Sequence, residues 1–271
     1  MIIKKQILYS VFIFLILPLV ADQKSFAIIV CSYNNEQWVE QNLNSLLQQN
    51  YQNYKVLYID DCSTDRTEMV VQGYLQRTAT HNRVTYIRNK TRRYKLYNLF
   101  HAIHTYCHDD DIIVEVDGDD WLLGKDVFEY LNTIYQTTQT WMTYGGFVMW
   151  PKVYKHLKAY PIPEEIIAHN QFRTFHRKGY IFMALRSFYC WLFKKIKKKD
   201  LVHNELFFKR SSDIATMIPM FEMAGNRFYY ITNKVYLYNT NTGINDFLVD
   251  AQGQRDISSL ILKKERYARL P

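Results

Sequence analysis

Four short and nearly uninterrupted apolar runs constrain this chain more than any other feature: Phe26 to Val30, Lys55 to Ile59, Val84 to Ile87 and Ile112 to Val116. They alternate with stretches of helical spacing. One carries Trp38, Val39, Leu43, Leu46 and Leu47, the next Met69, Val70 and Leu75, and a third runs from Leu96 to Tyr106. Runs apolar at successive positions are buried on both faces, as parallel strands are. Strand alternating with helix implies an α/β fold, a wound, mostly parallel sheet with right-handed crossovers and helices on its faces. Asn34 or Asn35 is expected to cap the first helix, and Ser63 with Thr64 the second, because their side-chain oxygens accept from free N–H groups.

In such sheets ligands bind outside the carboxyl ends of the strands. Three of these ends carry polar or acidic clusters: Ser32-Tyr33-Asn34, Asp60-Asp61, and Asp117-Gly118-Asp119-Asp120. Three carboxylates within four residues repel one another unless a cation or strong donors compensate. A hard divalent ion, Mn²⁺ or Mg²⁺, meets that need because it takes carboxylate and phosphate oxygens together. An acidic turn capping the chain before Trp121 is the other reading. At Asp60-Asp61, one carboxylate can accept from a base ring or ribose while its neighbour holds the loop, or both can serve as caps.

Beyond Trp141 the pattern loosens. Met142 to Met149 reads as a strand, Pro151 to Pro163 as irregular, and Ile214 to Ala224 as a helix interrupted or kinked by Pro219. Phe228 to Ile231 and Val235 to Tyr238 read as a closing pair of strands. At 271 residues and 48% apolar composition, one domain with a C-terminal elaboration is the simplest organisation. It divides into two halves, 25–140 and 141–271. Ahead of it, Lys4 and Lys5 precede a 14-residue apolar run from Ile7 to Val20. A spanning helix needs about 20 residues, so residues 1–24 read as a secretory signal or short signal-anchor. The domain is then expected in the secretory pathway or outside the cytoplasm, with the cytoplasmic face of a membrane as the alternative.

The formal net charge of +8 favours an anionic partner. Much of it sits in Lys194, Lys195, Lys197, Lys198 and Lys199 and in Arg92, Arg93 and Lys95, and the remainder is near balance, which is not a nucleic-acid binder's profile. The four cysteines form no CxxC pair, which argues against a zinc knuckle or a redox motif. The 22 tyrosines suit surfaces that stack on sugars or nucleobases as well as ordinary core use.

FAIIVCSYNN (Phe26 to Asn35), VLYIDDCSTDRT (Val56 to Thr67) and IVEVDGDDWL (Ile113 to Leu122), in this order and spacing, resemble the glycosyltransferase family 2 pattern. Asn89 to Leu99, with Arg93 and Asn98, resembles the segment between that family's second and third motifs. SSDIATMIPMFEMA (Ser211 to Ala224) stands where the family carries its catalytic aspartate. The resemblance runs from Phe26 to about Tyr238. It implies a GT-A fold and inverting transfer from a nucleotide-diphosphate sugar to a hydroxyl acceptor, a glycan, lipid-linked or protein. Carried onto these positions, Cys31 and Tyr33 line the nucleobase pocket and Asp61 accepts from the base. Arg93 and Asn98 belong to the donor site, Asp117 approaches the ribose, Asp119 ligates the metal, and Asp213 is the general base. Two departures stand out. The lead-in to the third helix reads Leu96-Tyr97-Asn98, with tyrosine where an arginine is customary, so the cation that serves the diphosphate is left open among Arg92, Arg93 and Lys95. Ser212 replaces the usual acidic neighbour of the base, which leaves Glu222 as a rival.

Other features carry blander readings. The spacing of His101, His104 and His108 puts them on one face of a helix, opposite Leu99, Ile103 and Tyr106, and they are expected to face solvent rather than a metal. The aromatic segment from Tyr180 to Lys199 suits either an anionic membrane surface or a core helix with a solvated basic end. A sugar-phosphate nucleotidyltransferase would need a glycine-rich basic loop where Ser32-Tyr33-Asn34-Asn35 stands, and a dinucleotide-binding oxidoreductase would need a GxGxxG that is absent. The non-enzymatic alternative is a carbohydrate- or nucleotide-binding relic of the same fold.

Overall fold

The four apolar runs form β1 (Phe26–Ser32), β2 (Tyr54–Asp60), β3 (Val84–Arg88) and β4 (Ile112–Asp117) in the computed structural model, which describes residues 23–155, 157–176, 184–243 and 249–271. The signal or anchor expected over residues 1–24 lies almost wholly outside the described residues. Among those described, no helix is long and apolar enough to cross a membrane. The four strands pair in parallel in the order β3-β2-β1-β4. Along β1, Phe26, Ile28 and Val30 pack into one core layer, Ala27 and Ile29 into the other, and all are buried. This two-sided burial is why the runs lack polar alternation.

The sheet then continues through β7 (Arg186–Tyr189), β6 (Met142–Trp150), β10 (Phe228–Asn239) and β5 (Trp121–Leu122), giving eight strands in the order β3-β2-β1-β4-β7-β6-β10-β5. β7 is antiparallel to both β4 and β6, whereas β6 and β10 are parallel. A small hairpin, β8 (Val202–His203) with β9 (Leu206–Phe207), stands apart. One face of the sheet is covered by α1 (Val39–Leu47), α2 (Thr67–Thr78) and α4 (Val127–Thr137), through residues such as Leu43, Leu46, Val71, Leu75 and Phe128. The other carries α3 (Tyr94–Tyr106), α7 (Cys190–Lys194) and α8 (Ser212–Ala224), through Leu96, Leu99, Leu192, Ile218 and Phe221. Short helices α5 (Glu164–Ala168) and α6 (Phe172–His176) and the last helix α9 (Ala251–Leu262) complete the described chain.

Several local expectations are corrected. The closing pair of strands is the single strand β10. Its register to β6 shifts between Ile231 and Tyr236, where Thr232, Asn233 and Lys234 are exposed. Opposite this irregularity Gly145 and Gly146 take φ of +97° and +79°, a backbone region that side-chain-bearing residues rarely adopt. Pro219 does not interrupt α8, which runs unbroken from Ser212 to Ala224. Tyr106 is 38% exposed instead of buried with Leu99 and Ile103, while His101, His104 and His108 do face solvent. In the aromatic segment, Phe188, Leu192, Phe193 and Ile196 are buried in the core, and Lys194 pairs with Asp109 at 2.7 Å. Their burial matches the core-helix reading of that segment.

Candidate active site

β2, β1 and β4 are adjacent and in register, so their carboxyl ends meet. Asp60 pairs with Ser32 and Asp117 with Cys31, and the Asp61 and Gly118 backbone N–H groups donate to the Ser32 and Cys31 carbonyls. The loops leaving these ends are laced together by side chains. The Asn34 N–H donates to Ser63 Oγ at 2.9 Å, the Thr64 N–H to Asn34 Oδ1 at 2.8 Å, and the Asn35 N–H to Thr67 Oγ1 at 2.9 Å. None of these groups caps a helix as expected. Asn34 and Ser63 are spent bridging the two loops, the Asn35 side chain donates to Ser32 Oγ, and the start of α2 is held by Asp65 Oδ1 accepting from the Thr67 N–H.

Gly118 is the point of closest approach. A Cβ there would lie 2.6 Å from Ser32 Cβ, 2.7 Å from Ser32 Oγ and 2.8 Å from Asn35 Nδ2. Gly118→Ala is therefore expected to force the ends of β1 and β4 apart and destabilise the protein by about 1–3 kcal/mol. Urea unfolding checks this, and an unchanged midpoint would show that the contact relaxes freely.

The two aspartates ending β2 divide their work. Asp60 is buried and holds the loop, accepting from the Ser63 N–H at 2.9 Å and the Tyr86 hydroxyl at 3.0 Å, with the Arg88 guanidinium 3.4 Å away. Asp61 turns to α3. Its Oδ1 accepts from Asn89 Nδ2 and the Arg93 N–H, and its Oδ2 from the Tyr94 N–H. With two donors on one oxygen and one on the other, Oδ2 retains a lone pair for a further donor. Asp61→Ala is expected to cost about 0.5–2 kcal/mol of stability by freeing the α3 N-terminus, besides weakening nucleotide binding. Thermal denaturation and nucleotide titration separate the two effects, and an unchanged nucleotide affinity would remove Asp61 from the donor site.

Asn98 is buried beside this group. Its Oδ1 accepts from Asn89 Nδ2 at 2.8 Å, and its own Nδ2 has no hydrogen-bond partner. Arg93 is exposed, its guanidinium over the Tyr97 ring. Arg92 lies between the Tyr33 and Tyr94 rings, 3.6 and 4.8 Å from their centroids, so one face of Tyr33 is already covered.

The acidic run after β4 does not gather around one point. Asp120 turns inward, where its carboxylate accepts from the Tyr236 hydroxyl at 2.6 Å and the Asn239 N–H at 2.7 Å. Asp117 pairs with Lys95, and Arg186 on β7 lies 3.8 Å from it. Burial alone would raise Asp117, but these two cations hold it below the ordinary carboxylate range. Asp119 forms no ion pair among the described residues and is offset only in part by the Lys95 charge. Burial and then the neighbouring Asp117 charge push its pKa up to about 7. Among the described residues no group of three or more His, Cys, Asp or Glu side chains converges on one point. Asp119 is the carboxylate left in want of a positive charge.

Arg186 is the residue that sequence reasoning missed. It is buried, its Nε lies 3.2 Å from Glu115, and it faces Glu115 across the β4–β7 pairing. Burial opposes its charge, yet Glu115, Asp117 and Asp213 together outweigh that and raise its pKa. Asp213, in the first turn of α8, is thus close enough for its charge to be felt at Arg186, which itself lies 3.8 Å from Asp117. The Tyr238 hydroxyl likewise feels Asp120, Asp119, Asp117 and Asp213, which with burial drive its pKa up. Cys31 adjoins the same group, its thiol raised by burial with Lys95, Asp117, Glu115 and Asp61 around it. Glu222 is removed as a rival. It is fully buried on α8, paired with Arg173 at 2.6 and 2.9 Å, and accepts from the Tyr267 N–H at 3.0 Å.

Known proteins share this fold. Solved chains of TarS from Staphylococcus aureus superpose with a TM-score of 0.60 at 18% identity for the complex with UDP-GlcNAc, covering 81% of this chain and 59% of that one. The mannosyltransferase PcManGT of Pyrobaculum calidifontis, in complex with GDP-Man and Mn²⁺, gives a TM-score of 0.53 at 19% identity over 80% of this chain and 57% of that one. These glycosyltransferase structures share the fold, a GT-A sheet. In sequence, glycosyltransferase GlyG of Streptococcus pneumoniae is 24% identical over 88% of this chain and 78% of its own. Poly(ribitol-phosphate) beta-N-acetylglucosaminyltransferase TarS of S. aureus is 41% identical over 51 residues, 18% of this chain and 9% of that protein's length. The model of glycosyl transferase family 2 matches residues 27–201, a span that takes in β1, β2, β4 and their acidic ends, and on that match the chain belongs to glycosyl transferase family 2.

Proposed function

We propose that the chain transfers a sugar from a nucleotide-diphosphate donor to a hydroxyl acceptor with inversion, using Asp213 as general base. One observation carries this reading: the buried Arg186 lies 3.8 Å from Asp117, at the end of β4, and also feels the charge of Asp213, at the start of α8. Carboxylates from distant segments thereby face a common rim. The donor belongs at the carboxyl ends of β1, β2 and β4, its base beside Tyr33 and Asp61 and its ribose toward Asp117. The acceptor enters from the α8 side. Its hydroxyl attacks the anomeric carbon as the bond to the diphosphate breaks, and its proton passes to Asp213, so no covalent enzyme intermediate is required. Lys95, Arg186 and Arg92 supply fixed positive charge near the leaving group.

We assign the divalent cation to Asp119, a carboxylate that burial and the Asp117 charge push up to about 7 against only partial relief from Lys95. When bound, the ion would supply charge stabilisation for the departing diphosphate. UDP and UDP-GlcNAc, which TarS binds, and GDP-Man, which PcManGT binds, are the first donors to test. Thermal-shift titration with each nucleotide sugar, with and without Mn²⁺, is expected to single out one nucleotide. The matching nucleoside diphosphate should then be released in an acceptor-dependent manner. Donor binding without turnover across a broad acceptor panel would leave a binding relic in place of an enzyme.

A further inference from the structure

The geometry points to a sugar-stacking platform built by Trp38, Trp121 and Trp150 for a pyranose ring of a glycan acceptor. The inference rests on the glycosyl-transfer reading for the acceptor's role. Three separate segments bring the indoles together: Trp38 just ahead of α1, Trp121 at the start of β5 and Trp150 at the end of β6. Ring centroids lie 6.0 Å apart for Trp38 and Trp121, 6.4 Å for Trp38 and Trp150, and 6.0 Å for Trp121 and Trp150.

The cluster stands at the candidate site. Trp121 follows Asp119 by two residues. The Trp150 carbonyl accepts from the Thr240 N–H at 2.7 Å. The adjoining Asn239 donates its side-chain amide to the Asp119 carbonyl at 3.0 Å and its backbone N–H to Asp120. Trp121 and Trp150 also belong to the β6-β10-β5 side of the sheet, away from Asp61 at the end of β2. The proposed nucleobase position is thus on one flank of Asp119 and Trp121 and Trp150 are on the other, with Trp38 reaching them from the segment after β1.

A solitary exposed tryptophan needs no explanation. Here Trp150 keeps 45% of its surface exposed while resting against two further indoles at a ligand-binding rim. Indoles offer broad, rigid apolar faces at small cost in rotamer freedom. A pyranose ring is the matching shape, with C–H groups on a flat face and hydroxyls around its edge. The exposed Lys152 and Asn241, each within two residues of a platform contact, stand where those hydroxyls would reach. Trp150 stands edge-on to Trp38 and tilted to Trp121, both half-buried. Its open face is therefore the one offered and the other two indoles brace it, while further sugars of a chain can reach the polar groups around it.

The test uses chitotetraose, cellotetraose and an α-1,6-linked mannotetraose as probes, with binding read by tryptophan fluorescence and calorimetry. At least one tetrasaccharide is expected to bind wild-type protein more tightly than its monosaccharide. Trp150→Ala is expected to weaken that binding about tenfold, a difference on the scale of one lost apolar face. Trp150→Phe should retain most of it, and UDP or GDP affinity should be unchanged in both variants. Equal tetrasaccharide affinity in Trp150→Ala, or no binding of any of the three by wild-type protein, would overturn the platform. Joint loss of tetrasaccharide and nucleotide binding in Trp150→Ala would overturn it too, by making Trp150 a support of the whole rim. Wild-type protein that binds a tetrasaccharide but no nucleotide would keep the platform and sink the donor reading instead.

Discussion

Asp213→Asn is expected to lower sugar transfer by about a hundred- to ten-thousandfold while donor affinity stays within about twofold of wild type. The amide keeps the size of the carboxylate but cannot take the acceptor proton, so the loss falls on turnover. Arg186 sets the background for this change. It is buried among Glu115, Asp117 and Asp213, so removing one negative charge leaves it with two. Glu222→Gln is the contrasting variant on the same helix. Its carboxylate holds Arg173 and the Tyr267 N–H in a fully buried site, and breaking such a pair costs about 3–5 kcal/mol. That variant should therefore lower the thermal midpoint sharply, whereas Asp213→Asn should barely move it. Single-turnover kinetics and denaturation together make the distinction. Weakened donor binding with normal turnover in Asp213→Asn would contradict the base assignment.

Asp119→Asn is expected to abolish the Mn²⁺-induced thermal shift and to reduce transfer by about a hundredfold or more. Its pH dependence has a definite sign. The Asp119 carboxyl titrates at about 7 in the folded protein against a reference value of 3.8. Between those values the folded state holds more protons than the unfolded one, so metal-free stability falls as pH rises from about 4 to about 7 and is level above. The asparagine variant lacks that fall and should exceed metal-free wild type in stability at pH 8. A divalent ion competes with the proton for the same oxygens. With Mn²⁺ at about a hundredfold its Kd, wild-type protein should gain roughly 5–10 °C at pH 8 and much less at pH 5.5. A shift that survives in Asp119→Asn, or grows toward acid pH, would place the ion elsewhere.

Where the chemistry is local and the burial two-sided, this fold can be read directly from residues. β1 to β4 show as apolar runs because both faces are covered, and the acidic ends arise because backbone leaving a sheet must meet water or ligand. Long-range pairings leave no such trace. Asn34 and Ser63 have the composition of helix caps, yet their partners lie about 30 positions away, across two loops that only the β1–β2 register brings together. β10 reads as two strands because its exposed Thr232-Asn233-Lys234 segment interrupts an otherwise apolar run. Arg186 in an aromatic stretch looks like a residue reaching for solvent. Its meaning appears only when β7 inserts antiparallel between β4 and β6 and sets it opposite Glu115. Lys95 and Arg186 likewise approach Asp117 from two different elements, α3 and β7, a convergence that no local pattern shows. Asp61 and Asp213 are recognisable from the resemblance, but the donors that fill Asp61's oxygens are backbone groups that no side-chain pattern reveals.

The buried Arg173–Glu222 pair also anchors the C-terminal segment beyond α9. Besides Glu222, Arg173 donates to the Ile261 and Glu265 carbonyls, and the Leu270 N–H donates to the Met223 carbonyl. Residues 261–270 are therefore stitched to the far end of the helix whose first turn holds Asp213. The Tyr267 and Leu270 amides, which donate to Glu222 and to the Met223 carbonyl, should exchange with solvent deuterium on the timescale of the sheet interior, because they are released only when their hold on α8 comes loose.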